Sequence, residues 1–145
     1  MRIKSTAAVT FLALSLPLFA QTAPPSDFTT PQGAAYIHQQ IKDQIVSFTE
    51  NGDQDLIYFT AILAWRCGVQ EIYYGLNDAP IVTALPLEPC NRDLRQPNQS
   101  KFRDQTYPMY ITVPKGSAQS VSLRVIYEDG TVAEFVAERA TNLVF

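Results

Sequence analysis

A single histidine, His38, stands in a chain of 145 residues, and that scarcity excludes much of the common site chemistry. One histidine and two cysteines cannot furnish a four-ligand zinc site, and no C-x-x-C redox pair is present. Nucleophilic catalysis needs an activated nucleophile beside a base. His38 falls within an amphipathic helical stretch, and no G-x-S-x-G elbow accompanies it. Phosphate loops and dinucleotide fingerprints are absent as well, so neither a cofactor nor an enzymatic activity is expected. Basic residues number 11 against 14 acidic, a net charge of −3. Nucleic-acid or anionic-membrane binding wants the opposite balance. Beyond residue 20 no apolar run approaches the eighteen or so residues of a membrane-spanning helix. The terminal Phe145 is reminiscent of outer-membrane barrels, but the strands are too few, so a tail packed on the sheet is expected.

What is present begins with an export signal. Arg2 and Lys4 form a positive start, Ala7 to Leu18 an apolar stretch, and Ala20 a cleavage residue. Residues 21–30, with Pro24 and Pro25, read as a flexible leader. Residues 31–145 then form a single β-rich domain. Cleavage would leave 125 residues with nine basic and fourteen acidic side chains, a net charge of −5. In an oxidising compartment Cys67 and Cys90 are expected to form a disulfide, with two buried thiols as the alternative. Closing a loop of that size stabilises a fold by ~3 kcal/mol.

The stretch Leu56 to Cys67 is the longest apolar run after the N-terminus. A period of two places Ile57, Phe59, Ala61, Leu63, Trp65 and Cys67 on one face, which predicts a buried strand. Leu56, Phe59, Leu63 and Cys67 also fit a helical stripe. Before it, Thr30-Pro31 makes an N-cap, and Ile37, Ile41, Ile45 and Phe48 predict an amphipathic helix from Pro31 to Glu50, stopped by Asn51-Gly52. After it, strands are expected over Val69 to Leu76, antiparallel to the central strand, over Ile81 to Leu87, and over Met109 to Val113. Val121 to Tyr127 and Val132 to Ala137 flank Asp129-Gly130, a two-residue hairpin signal. That turn would set Tyr127 opposite Val132 and bury Val132 and Val136 with Val121, Leu123 and Val125, leaving Glu134 as a misfit.

Candidate contact residues lie in the hydrophilic loop from Asn91 to Pro108. Arg92, Arg95, Lys101 and Arg103 cluster there in an otherwise acidic chain, and clustered charge steers encounter with an acidic or anionic partner. Asp93 and Asp104 blunt the cluster. Glu50 to Asp55 gathers oxygen ligands without the twelve-residue calcium-loop pattern, so no metal is expected there. Tyr58, Tyr73, Tyr74, Tyr107, Tyr110 and Tyr127, with Trp65, suit core or cross-strand packing better than a binding face. Asn98-Gln99-Ser100 matches a glycosylation acceptor, relevant only in a eukaryotic secretory route.

The run Trp65-Arg66-Cys67-Gly68-Val69-Gln70-Glu71-Ile72-Tyr73-Tyr74, followed by Val121-Ser122-Leu123-Arg124-Val125-Ile126-Tyr127-Glu128-Asp129-Gly130, resembles an immunoglobulin-like β-sandwich. It is similar to prokaryotic YEATS-like domains, in which a V-x-x-I-x-Y strand and a V-x-Y-x-D-G hairpin recur. The resemblance covers residues 57–135 and gives no place to the helix or the disulfide. No residue matches the aromatic acyl-lysine cage of the eukaryotic relatives, so it implies a fold and a non-catalytic role without a ligand. The expectation is therefore an exported, periplasmic or secreted, mainly β binding module. A small secreted inhibitor or effector presenting residues 91–108 to a partner protein is the alternative.

Overall fold

The computed structural model describes residues 23–101 and 106–145. The export signal and Arg103 lie outside the described residues. Asp27 organises the entry to the fold. Its side chain accepts from the Thr29 amide at 2.8 Å and hydroxyl at 2.7 Å, and its carbonyl accepts from the Thr30 hydroxyl at 2.9 Å. Thr30 then caps α1 (Pro31–Gln40) through a 3.1 Å bond to the Gly33 amide, with Pro31 as the first helical residue. This start is the one expected from Thr30-Pro31.

The end of the helix is not. The chain leaves α1 at Gln40, makes a 3-10 turn over Lys42–Gln44, and enters β1 (Ser47–Asn51). Ile45, Val46 and Phe48 are fully buried, but in a turn and a strand rather than on a helical stripe. The physical reason is the local run of β-branched residues, which gains more from pairing with β2 (Gln54–Tyr58) than from continuing the helix. Gly52 and Asp53 make the two-residue connection, Asn51 facing Gln54, with Gly52 at φ +63°. A glycine at the first central position is what such a turn favours.

The predicted long strand from Leu56 to Cys67 is likewise divided. β2 ends at Tyr58, and α2 (Thr60–Leu63) carries the chain to the second sheet, with Ile62 buried beneath it. β3 spans Val69–Leu76, the predicted bounds. Its neighbours are not β2 but β4 (Thr83–Ala84) and β6 (Ser120–Tyr127). Only two residues of the expected Ile81 to Leu87 strand pair, the segment being bounded by Pro80 and Pro86, which cannot donate to a ladder. β5 (Tyr110–Pro114), β7 (Val132–Glu138), α3 (Arg139–Asn142) and β8 (Leu143–Val144) complete the described residues.

Two four-stranded sheets result, in the orders β5-β2-β1-β8 and β4-β3-β6-β7. All pairings are antiparallel except β1 with β8. Phe48 and Ile57 of the first sheet join Ile72, Leu123, Val125 and Tyr127 of the second in one core, with Ala34 and Ile62 contributed by the helices. No helix among the described residues is long and apolar enough to cross a membrane.

The β6–β7 hairpin shows what one residue of register does. Tyr127 pairs through its amide with the Thr131 carbonyl at 2.9 Å, and its carbonyl receives the Gly130 amide at 2.9 Å. Three residues, Glu128, Asp129 and Gly130, therefore form the loop, and only Gly130 has positive φ, at +81°. Ile126, not Tyr127, faces Val132, and Leu123 faces Phe135. The shift turns β7 over. Phe135 and Ala137 are buried, Val132 and Val136 are exposed, and Glu134 ceases to be a misfit because its carboxylate meets Arg124 at 2.8 Å on the outer face. Gly130→Val should lower stability by roughly 1–2 kcal/mol, since a β-branched residue is strained at this φ. The urea midpoint measures it, and an unchanged midpoint would show another turn geometry.

Candidate functional site

The segment joining β4 to β5 has little apolar content to anchor it, so its placement depends on polar contacts. The anchor is Arg66, which follows α2 and lies only 4 % exposed. Its Nε donates to the Glu88 carbonyl at 2.8 Å, Nη1 to the Asn98 carbonyl, and Nη2 to the Gln99 carbonyl at 3.1 Å. Nη2 also stands 3.3 Å from the Glu88 carboxylate, itself 5 % exposed. Glu88 accepts from the Lys101 amide at 2.7 Å, the Asn91 amide group at 3.1 Å and the Ser100 hydroxyl at 2.5 Å.

Burial is the largest influence on both charges. It holds the Arg66 pKa below its usual value, partly offset by Glu88. Burial also pushes Glu88 upward, but the bonds from Ser100, Lys101 and Asn91, with the charge of Arg66, outweigh it and the net shift is down. The pair is therefore ionised near neutral pH, and each partner compensates the other's desolvation.

A second tie is covalent. Cys67 and Cys90 form a disulfide with their Cα atoms 4.9 Å apart. Beside it the Cys67 amide donates to Asn98 Oδ1 at 2.7 Å. Gly68 follows at φ +86°, and a Cβ there would come within 2.5 Å of the Thr30 carbonyl, so only glycine lets the helix cap pass so close to the start of β3. Two residues of the glycosylation acceptor thus take part in holding the loop. Asn98 holds Cys67 through its oxygen, and Ser100 holds Glu88.

Of the cations singled out from the sequence, Arg92, Arg95 and Lys101 lie on this loop among the described residues, though not as a bare basic patch. Arg92 meets Glu128 of the β6–β7 turn at 3.0 Å and also reaches the Thr29 carbonyl at 3.4 Å. Lys101 stands 3.3 Å from Asp93. Among the described residues Arg95 is exposed and has no carboxylate partner. The loop accordingly shows a surface of mixed charge. Arg66, Glu88, Asn91 and Asn98 are the residues that sequence reasoning passed over. Their signal was chemical rather than periodic: an arginine inside the apolar Ala64-Trp65-Arg66-Cys67 run, and a glutamate between Leu87 and Pro89.

No family model, curated protein or solved structure matches the chain.

Several other polar groups hold the fold together. Asp55 is fully buried and takes two bonds from Arg139, at 2.9 and 3.3 Å, and one from the Gly116 amide at 2.9 Å. Glu50 is held by Arg139 and Lys115, each at 2.7 Å. Glu50 and Asp55 therefore receive their positive charge from the protein, and this ties α3 to the β1–β2 hairpin. Among the described residues no three histidine, cysteine or carboxylate groups converge as metal ligands would. Tyr58 and Tyr110 pack as a cross-strand pair with ring centres 5.2 Å apart, and Phe28 lies across Trp65 and Tyr36 at 6.2 and 6.4 Å. His38 is fully buried against Tyr127, out of reach of any solvent-borne substrate.

Proposed function

We propose that the protein is an exported, non-catalytic binding module of immunoglobulin-like build that presents the loop from Glu88 to Lys101 to a partner protein. The observation that carries this reading is the cost of the loop's order. Fixing a residue's backbone opposes folding by about 1–2 kcal/mol, and a mere connection between β4 and β5 needs no such restraint. Here a buried ion pair, the Asn98 bond to Cys67 and a disulfide hold the segment in place. Its crown of Arg92, Arg95, Gln96 and Gln99 is left exposed. Recognition residues commonly sit on loops positioned by a rigid scaffold in this manner.

The strand order favours the immunoglobulin-like assignment. β1-β2-β5 and β7-β6-β3-β4 have the neighbours and directions of the A-B-E and G-F-C-C′ strands of that fold, with β8 an addition beside β1. Export rests on the N-terminal pattern of charge and apolar residues, and the disulfide suits an oxidising compartment. The pairing of Arg92 and Lys101 with carboxylates favours a polar protein surface of mixed charge over a strongly anionic ligand. A small inhibitor that inserts the same pinned loop into a partner's cleft is the second reading, favoured by the loop's rigidity.

Replacing Arg92, Arg95, Lys101 and Arg103 together by Ser tests the site. Exposed ion pairs contribute about 0–1 kcal/mol, so the thermal midpoint should be nearly unaltered. Capture of the partner from an envelope or culture extract should weaken, with a salt dependence that the parent protein shows and the variant lacks. A partner that proves to be an enzyme, inhibited on binding, would select the inhibitor reading. Undiminished capture by the variant would move the site to the tyrosine-bearing strands.

A further inference from the structure

Each sheet ends in strands whose outer backbone groups invite pairing with another chain. Three of the four edges are blunted. β4 and β8 are two residues long, and β5 lies between Pro108 and Pro114, the latter with no amide to offer. β7 is longer, with seven residues and no proline, and the 3-10 turn over Lys42–Gln44 packs beside it.

The ladder shows which of its groups are free. Tyr127 bonds Thr131 and Arg139 bonds Gln119, so the hydrogen-bonded pairs fall on odd-numbered residues of β7. The amides and carbonyls of Val132, Glu134 and Val136 therefore point away from β6, and among the described residues none of them has a hydrogen-bond partner. The edge closes at Glu138, whose carbonyl is taken by Asn142 and Thr141. Val132 and Val136 are 57 % and 60 % exposed on the outer face, with Glu134 between them and Glu138 beyond. A groove of about 270 Å³ separates the middle of this edge from the end of α1, lined by Gln39, Lys42, Asp43, Glu134, Phe135 and Val136.

We propose that β7 is a docking edge for an extended peptide segment of a partner protein that turns apolar side chains and a basic one to the same face of the sheet. The free groups at every second residue supply the main-chain bonds of strand addition, and the alternating side chains supply its selectivity. Apolar side chains would lie beside Val132 and Val136, and a cation beside the exposed Glu138, since Glu134 is already paired with Arg124. Arg92 reaches Glu128 in the turn that leads into β7, so the proposed loop site stands at one end of this edge.

The probe is a short synthetic peptide in which threonine alternates with valine and lysine, added to the full chain while amide hydrogen exchange is followed residue by residue. Exchange at Val132, Glu134 and Val136 should slow by about tenfold or more, while the odd-numbered amides, already paired to β6, change little. Val136→Pro removes an outward amide that the fold does not use, and should abolish the effect. If that variant does not fold, Val136→Lys provides the comparison, since its charge repels the basic peptide. The quadruple loop variant should still dock the peptide, which separates this edge from the loop reading. Absence of slowing, or slowing that persists in the Val136 variant, would overturn the proposal. So would protection that rises with protein concentration alone, the mark of a second copy.

Discussion

Arg66→Met should destabilise the protein by about 3–5 kcal/mol, because it leaves the Glu88 carboxylate buried without its counter-charge. The carbonyls of Glu88 and Asn98 would lose their donor in the same step, and that of Gln99 would keep only Asn91 Nδ2 at 3.0 Å. Urea denaturation reads the loss directly. The double variant Arg66→Met with Glu88→Met should lose much less stability than the sum of the two single losses, since it removes both buried charges together. Strict additivity, or a loss for Arg66→Met no larger than a surface substitution gives, would mean that the pair is solvated and that the disulfide alone holds the loop. The Glu88 contribution has a defined pH range. Its carboxyl is held below its usual value of 4.5, so the stabilisation is complete above that pH and is lost as pH falls through the lowered value.

Why this anchor escaped the sequence reading is instructive about what periodicity measures. The pattern of β6 was legible because Val121, Leu123, Val125 and Tyr127 are buried in strict alternation, and β3 was legible to its bounds. β6 owes its burial to a single sheet face, whereas β3 turns Ile72, Tyr74 and Leu76 to the core but loses strict alternation at a bulge between Val69 and Glu71. Leu56 to Cys67 has no such uniform environment. It leaves one sheet at Tyr58, turns through α2 and enters the other at Val69, so its apolar residues are buried by three different partners. A continuous apolar run records burial and says little about direction. Asn51-Gly52 was equally ambiguous, since a helix stop and the first half of a hairpin turn use the same residues; the partner strand β2 decides between them.

The candidate site divides along the same line. Its charged crown, Arg92, Arg95 and Lys101, could be named from composition because exposed charges cluster in sequence as they do in space. Its foundation could not, because Arg66 and Glu88 are twenty-two positions apart and meet only after α2 and β3 have folded the chain back. The carboxylates that neutralise Arg92 and Lys101 show the same limit. Asp93 is a near neighbour in the chain, whereas Glu128 arrives from a hairpin of another strand pair. The hairpin itself was found but misread by one residue, and that slip exchanged the exposed and buried faces of β7. The two exposed valines that mark the docking edge are a consequence of the loop having three residues rather than two.

The second large effect expected is a loss of stability on mild acidification, centred on His38. The imidazole is fully buried between α1 and the second sheet, with Nδ1 3.0 Å from the Tyr127 hydroxyl and Nε2 without a hydrogen bond. Burial pushes its pKa down to about 4 from 6.5, and the backbone of Ile62 and Trp65 opposes this only in part. Tyr127, the titratable side chain facing it, is pushed up to about 12 by burial and by Asp129, and stays protonated. The Phe135 ring on the remaining side carries no charge. Between pH 6.5 and 4 the unfolded chain therefore binds a proton that the folded chain refuses, and stability falls as pH falls. The contribution is fully present above pH 6.5, declines through this window and levels off below about 4. A displacement from 6.5 to about 4 corresponds to roughly 3 kcal/mol. His38→Gln, which retains a polar group beside Tyr127, should be less stable than the parent protein at pH 7.5 and should close much of that gap at pH 4.5, as urea midpoints at each pH would show. Parallel stability curves for the two proteins across this range would mean that the imidazole titrates freely and that α1 opens to let it do so.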